Sequence, residues 1–93
     1  MIKTFANNDT QNLFDSAKSR KFPQDIIKRA VTRLVWLDTA SVVNDLKIPP
    51  SNHLEKLKGD REGQHSIRIN NQYRVCFVFE SGNVFDVEIV DYH

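Results

Sequence analysis

The hydrophobic period of this chain changes once, and that change dictates its architecture. Ile26, Ile27, Ala30, Val31, Leu34, Val35 and Leu37 recur at three- and four-residue spacing until about Asp38, the stripe of an amphipathic helix. From His65 onward the period falls to two, with His65, Ile67 and Ile69 alternating with Ser66, Arg68 and Asn70, as in a half-buried strand. Helices first and strands afterwards make an α+β chain, in which a helical layer covers one face of an antiparallel sheet.

The remaining elements follow from local chemistry. Ile2 to Phe5 alternates and reads as an edge strand, and Asn8 or Asp9 supplies the N-cap of a first helix with Leu13, Phe14 and Ala17 on its apolar face. Lys18 to Lys21 sit near that helix's C-terminus, where the dipole favours cations. Pro23 suits the first turn of the second helix, whose N–H groups have no partner anyway. Val42, Val43 and Leu46 can add a short helical turn before Pro49-Pro50, and residues 47–63 read as a polar loop. Asn70-Asn71 predicts a two-residue hairpin turn and Ser81-Gly82-Asn83 a second, between strands 72–80 and 84–90. The expected order is β-α-α-β-β-β, an antiparallel sheet packed against an N-terminal helical hairpin.

Ninety-three residues bound this to one domain, 1–93, with one core. No apolar run approaches the ~20 residues of a membrane span, and Met1 to Phe5 lacks a signal-peptide layout, so a cytoplasmic location away from membranes is expected. The lone Cys76, inside Val75-Cys76-Phe77-Val78-Phe79, reads as a small buried hydrophobe. Charge is uneven: residues 1–33 hold seven Lys/Arg against three Asp, a net of +4, and the rest holds six against nine Asp/Glu, a net of −3. A basic front half suits nucleic acid or an acidic protein, and is equally the pattern of a solvated helix surface.

Two groups of residues can carry chemistry. The last strand runs into Asp91-Tyr92-His93, which together can orient, donate and move protons near neutral pH. Strict alternation puts Phe85, Val87 and Ile89 on one side, followed by Asp91 and His93, with Tyr92 opposite. The second group is Glu55, Lys56, Lys58 and Arg61 with Arg68, Tyr73 and Arg74. These cations can hold a phosphodiester and neutralise charge developing on phosphorus, while Tyr73 can stack on a base. A two-residue turn, however, pairs Arg68 with Tyr73 and Arg74 with Ile67, so both arginines reach one site only through a bulge or a strand edge. His53 could act as a base but has only Glu55 at metal-ligand spacing, so a zinc site is not expected, and His65 reads as a satisfied, half-buried strand histidine.

Leu54 to Asn70 (LEKLKGDREGQHSIRIN), Gln72 to Phe77 (QYRVCF), Val87 to His93 (VEIVDYH), the start Met1 to Phe5 and the Leu37-Asp38-Thr39-Ala40 step together resemble the HigB toxins of the RelE/ParE superfamily over essentially the whole length. The resemblance implies a RelE-like fold and a toxin of a type II toxin–antitoxin system. Such a toxin is a ribosome-dependent mRNA endonuclease, in which the RNA's own 2′-hydroxyl attacks the adjacent phosphate without a metal or other cofactor. Its implied partners are a HigA-like helix-turn-helix antitoxin, the ribosome and mRNA, with operator DNA reached only through the antitoxin complex. Asp91, Tyr92 and His93 match the family's terminal catalytic residues, and Lys56, Lys58, Arg68 and Arg74 its basic positions. Where some members carry His-Pro before Leu-Lys-Gly-Asp, this chain has Glu55-Lys56. Glu55 is then either a base or a partner of Arg68 or Arg74. Two other functions stay open on the same fold: a non-catalytic ParE-type toxin binding gyrase, and a module acting through antitoxin binding and operon control.

Overall fold

The computed structural model describes residues 1–92. Two helices, α1 (Asn8–Ser16) and α2 (Ile27–Thr39), precede four antiparallel strands, β1 (Glu55–Lys56), β2 (His65–Arg68), β3 (Tyr73–Glu80) and β4 (Asn83–Asp91), in the spatial order β1-β2-β3-β4. The α+β architecture expected from the change of period is the one observed.

Local chemistry sets the boundaries, with shifts from expectation. Asn7, rather than Asn8 or Asp9, caps α1, its side chain accepting from Thr10 N at 2.9 Å, because an extended residue must precede the first turn for its oxygen to reach the third amide. Ala17 lies outside the helix, closing it at φ 57° with its N–H on Leu13 O, and the Lys18 to Lys21 charges follow that cap. Pro23 precedes a 3-10 turn, Gln24–Ile26, which leads into α2. The short helical turn expected around Val43 and Leu46 is a 3-10 turn, Val43–Lys47, while the stretch 47–63 read as loop contains the two-residue strand β1 and 3-10 turns at Pro50–Asn52 and Gly59–Arg61. Two residues are too few for a period to register.

The helices cover one sheet face. Leu13, Ala30, Leu34, Leu37, Ile67, Val75, Phe77, Val84 and Val87 are all fully buried between the layers, whereas Val35 of the predicted stripe is 46% exposed. The N-terminal segment does lie at an edge, beside β4, but in parallel through isolated bridges Ile2 to Val84 and Phe5 to Val87. A buried Thr10 hydroxyl accepts from Ile89 N at 3.1 Å, fastening α1 to the same strand. Because Leu34 is enclosed on all sides, Leu34→Ala should lower unfolding free energy by about 2–5 kcal/mol, read as a fall in urea midpoint at unchanged slope.

One irregularity in β4 changes which side chains face the helices. The ladder slips between Cys76 and Val78, where Asp86 takes φ 55° and its N–H bonds Thr4 Oγ1. An extra residue there reverses the alternation. Val84, Val87 and Ile89 are therefore the buried set and Phe85 faces away from it, correcting the expected Phe85-Val87-Ile89 row.

Candidate functional site

The sheet face turned from the helices carries the polar residues. Cross-strand pairs Glu55–Ser66, Ser66–Cys76, Arg68–Arg74, Cys76–Glu88 and Arg74–Val90 share this face, while Ile67, Val75 and Ile89 share the core face. The short strand β1 is what delivers Glu55 to it.

Arg68 and Arg74 stand directly opposite each other because the β2–β3 turn is one residue longer than its Asn70-Asn71 dipeptide suggests. Ile69 N bonds Tyr73 O at 2.9 Å, leaving Asn70, Asn71 and Gln72 as the loop. Asn70 Oδ1 stabilises that loop by accepting from both Gln72 N at 2.9 Å and Tyr73 N at 2.7 Å. A one-residue change of register moves a side chain to the other face. It brings the arginines together with no bulge between them, correcting the predicted pairing with Tyr73 and Ile67.

Arg74 is 8% exposed and fixed on three sides by uncharged groups. Its Nε donates to Ser66 Oγ at 2.8 Å, its Nη2 donates to His53 O at 2.5 Å, and its guanidinium lies 5.5 Å from the centre of the Tyr92 ring. Arg68 is anchored by Nε to Asn70 O at 3.0 Å and by Nη2 to Asn71 Oδ1. Among the described residues neither arginine has a carboxylate partner, the ion pair recorded there being Arg61 with Glu88 at 3.2 Å. Like charges paired across a ladder repel, and a buried cation without a counter-ion is costly. An anion between them would relieve both terms.

A cleft of about 300 Å³ opens where such an anion would sit, lined by His53, Glu55, Arg68, Asn70, Asn71, Arg74 and Tyr92. Glu55 makes no ion pair with Arg68 or Arg74, so of the two roles read from sequence the pairing one is not what the structure displays. Tyr92 is tied by its N–H to Gln72 O at 2.6 Å, and 39% of its surface is exposed.

Other predicted residues lie elsewhere. Tyr73 packs edge-on to Phe22, with ring centres 6.3 Å apart on the helix side, so it is not placed to stack on a base in this cleft. Asp91 is opposite Tyr73 in the ladder and its Oδ2 accepts from Gln72 Nε2 at 3.0 Å. Lys56 pairs with His65, on the reverse of the strand from Glu55. Lys58 is exposed beyond β1, and Arg61 is engaged by Gln64 and Glu88. His93 lies outside the described residues. His65 is half-buried as read, held below the usual histidine range by burial and then by Lys56. It is not satisfied, however: its Nδ1 is buried without a partner. Burial pushes the Cys76 thiol up, against a nucleophilic role.

Sequence reasoning missed Ser66, Asn71 and the His53 carbonyl, which orient the arginines rather than react. Ser66 stood on the polar side of the alternation next to Arg68, and that was the available signal.

A family described as "RelE-like toxin of type II toxin-antitoxin system HigB" matches residues 3–93. The chain is 33% identical over 93 residues to "Endoribonuclease HigB" of Proteus vulgaris, covering the whole of both. It is 40% identical over 68 residues to "Toxin HigB-1" of Vibrio cholerae, covering 73% of this chain and 72% of that protein. Among solved structures, its fold is similar to the heterotetrameric YoeB-YefM toxin-antitoxin complex of Staphylococcus aureus, at TM-score 0.61 and 18% identity over 100% of this chain and 98% of the matched one. The YoeB dimer of the same organism matches at TM-score 0.59 and 20% identity, over 99% and 94%.

Proposed function

The chain belongs to the HigB family of RelE-like toxins from type II toxin–antitoxin systems, and from that premise we propose that it is an endoribonuclease cutting mRNA on the ribosome. The observation that carries this reading is Arg74: a buried guanidinium, oriented by neutral acceptors, opposite a second arginine and open to a cleft. Its natural complement is a phosphodiester.

In the proposed reaction the 2′-hydroxyl oxygen bonds to the neighbouring phosphorus as the bond to the 5′-oxygen breaks. The products are a 2′,3′-cyclic phosphate and a 5′-hydroxyl, so one proton must leave the attacking oxygen and one must reach the leaving oxygen. Arg68 and Arg74 hold the non-bridging oxygens and balance the charge that accumulates on them in the transition state. Glu55, which lines the same cleft, takes the 2′-hydroxyl proton. Tyr92 and His93 serve the leaving oxygen, with Asp91 acting on their placement. No step calls for a metal.

As a toxin of this class the chain has an antitoxin as partner. We extend this to a helix-turn-helix antitoxin that carries the pair to operator DNA, and to action in the cytoplasm, where ribosomes are. Among the described residues no helix is long and apolar enough to cross a membrane.

Primer extension on mRNA from cells expressing the chain tests the proposal. New 5′ ends within translated codons are expected; inhibited DNA supercoiling with uncut mRNA would replace it with the gyrase reading. In programmed ribosomes, Glu55→Gln should lower cleavage about 10²–10⁴-fold. A near-normal rate in Glu55→Gln would take the base role away from Glu55.

A further inference from the structure

The basic front half of the chain has no role in the cleft described above, yet it supplies two arginines to a neighbouring one. Arg29 and Arg33, one turn apart on α2, line a second cleft of about 330 Å³ with Ser51, Arg68, Ile69 and Asn70. Arg68 and Asn70 line both clefts, so the two are neighbours.

Arg33 is held in place by the sheet. β1 pairs only with His65 and Ser66, leaving the far end of β2 without a neighbouring strand, and Arg33 Nε donates to the Arg68 carbonyl there at 3.1 Å. Its guanidinium lies 5.0 Å from the Trp36 ring centre. Burial, and then the nearby Arg29, draw Arg33 below the ordinary arginine range. Among the described residues no carboxylate lines this cleft or pairs with its arginines. Like charges four apart on a helix repel, so an anion is again the missing component.

We propose that the Arg29–Arg33–Arg68 cleft binds the phosphodiester immediately beside the scissile one on the same RNA strand. This rests on the endoribonuclease reading and extends it: Arg68 spans two successive phosphates, and α2 sets the path of the strand beyond the cut. A protein carboxylate is the weaker candidate, because the cleft shares Arg68 and Asn70 with the one assigned to the scissile phosphate.

The test uses ribosomes programmed with mRNAs carrying a single methylphosphonate, which removes one phosphate charge, at each linkage flanking the cut in turn. Arg29→Gln is the variant, since Arg29 is exposed, with Arg33→Lys as a second that keeps the charge but loses the fork. With native mRNA, Arg29→Gln should lower kcat/KM about tenfold and reduce the log–log salt slope by about 0.7. At one flanking linkage the methylphosphonate should cost wild type a similar factor and cost Arg29→Gln nothing more. If the two losses simply multiply at every linkage, the cleft meets another RNA, such as ribosomal RNA, and the inference fails. It also fails if Arg29→Gln cleaves normally and loses only antitoxin binding. Absence of cleavage by wild type would instead overturn the endoribonuclease reading, and this inference with it.

Discussion

Arg74→Ala is expected to abolish mRNA cleavage and growth arrest, with a loss of at least about 10²–10³-fold in rate on programmed ribosomes. The expectation rests on preorganisation. Ser66 Oγ and the His53 carbonyl fix the guanidinium before substrate arrives, and the Tyr92 ring lies against it. A donor already oriented needs no reorganisation as charge grows on the phosphate oxygens. Arg74→Lys tests the geometry apart from the charge, because an ammonium cannot reach Ser66, the carbonyl and a phosphate with one planar fork. It should recover only a small part of the activity. A near-normal rate in Arg74→Lys would mean that charge alone suffices, and a normal rate in Arg74→Ala would remove this residue from the reaction. Circular dichroism and urea unfolding should accompany both variants, since Arg74 is also a buried strand residue.

Removing Tyr92 and His93 is expected to have an effect of similar size by a different route. Loss of the group that protonates the leaving 5′-oxygen typically costs about 10²–10⁴-fold. Tyr92→Ala and His93→Ala should each abolish the new 5′ ends in primer extension. Tyr92→Ala should leave the urea midpoint nearly unchanged, because Tyr92 is among the exposed large side chains. Tyr92→Phe separates two contributions. The ring against Arg74 survives and only the hydroxyl goes, so activity close to wild type would assign Tyr92 to holding Arg74 and leave proton transfer to His93. Full cleavage by His93→Ala would end its assignment.

The helix stripe, the alternation of β2 and the polar face holding Arg68 were legible because each is periodic over several residues, and period maps directly onto burial. Three features were not legible, for one shared reason: each turns on only one or two residues. The strand β1 is two residues long and exists because β2 offers it an edge. The Asp86 slip, which exchanges Phe85 for Val84 in the core, depends on one backbone conformation and its bond to Thr4. The β2–β3 loop is longer than its dipeptide signal because the Asn70 side chain accepts from two amides at once.

By itself, then, the sequence determined the α+β layering, the helix-covered face and the chemical kinds of residue available: arginines in a hairpin, Glu55 before it, Asp91-Tyr92-His93 at the end. Only the tertiary structure decided which of these meet. It set Arg68 against Arg74, brought Glu55 across on an edge strand, turned Tyr73 and Lys56 away and linked Arg29 and Arg33 to the same surface. The physical reason is that side-chain identity is local, whereas strand register is a sum over the whole ladder, where one extra turn residue moves every later side chain to the other face.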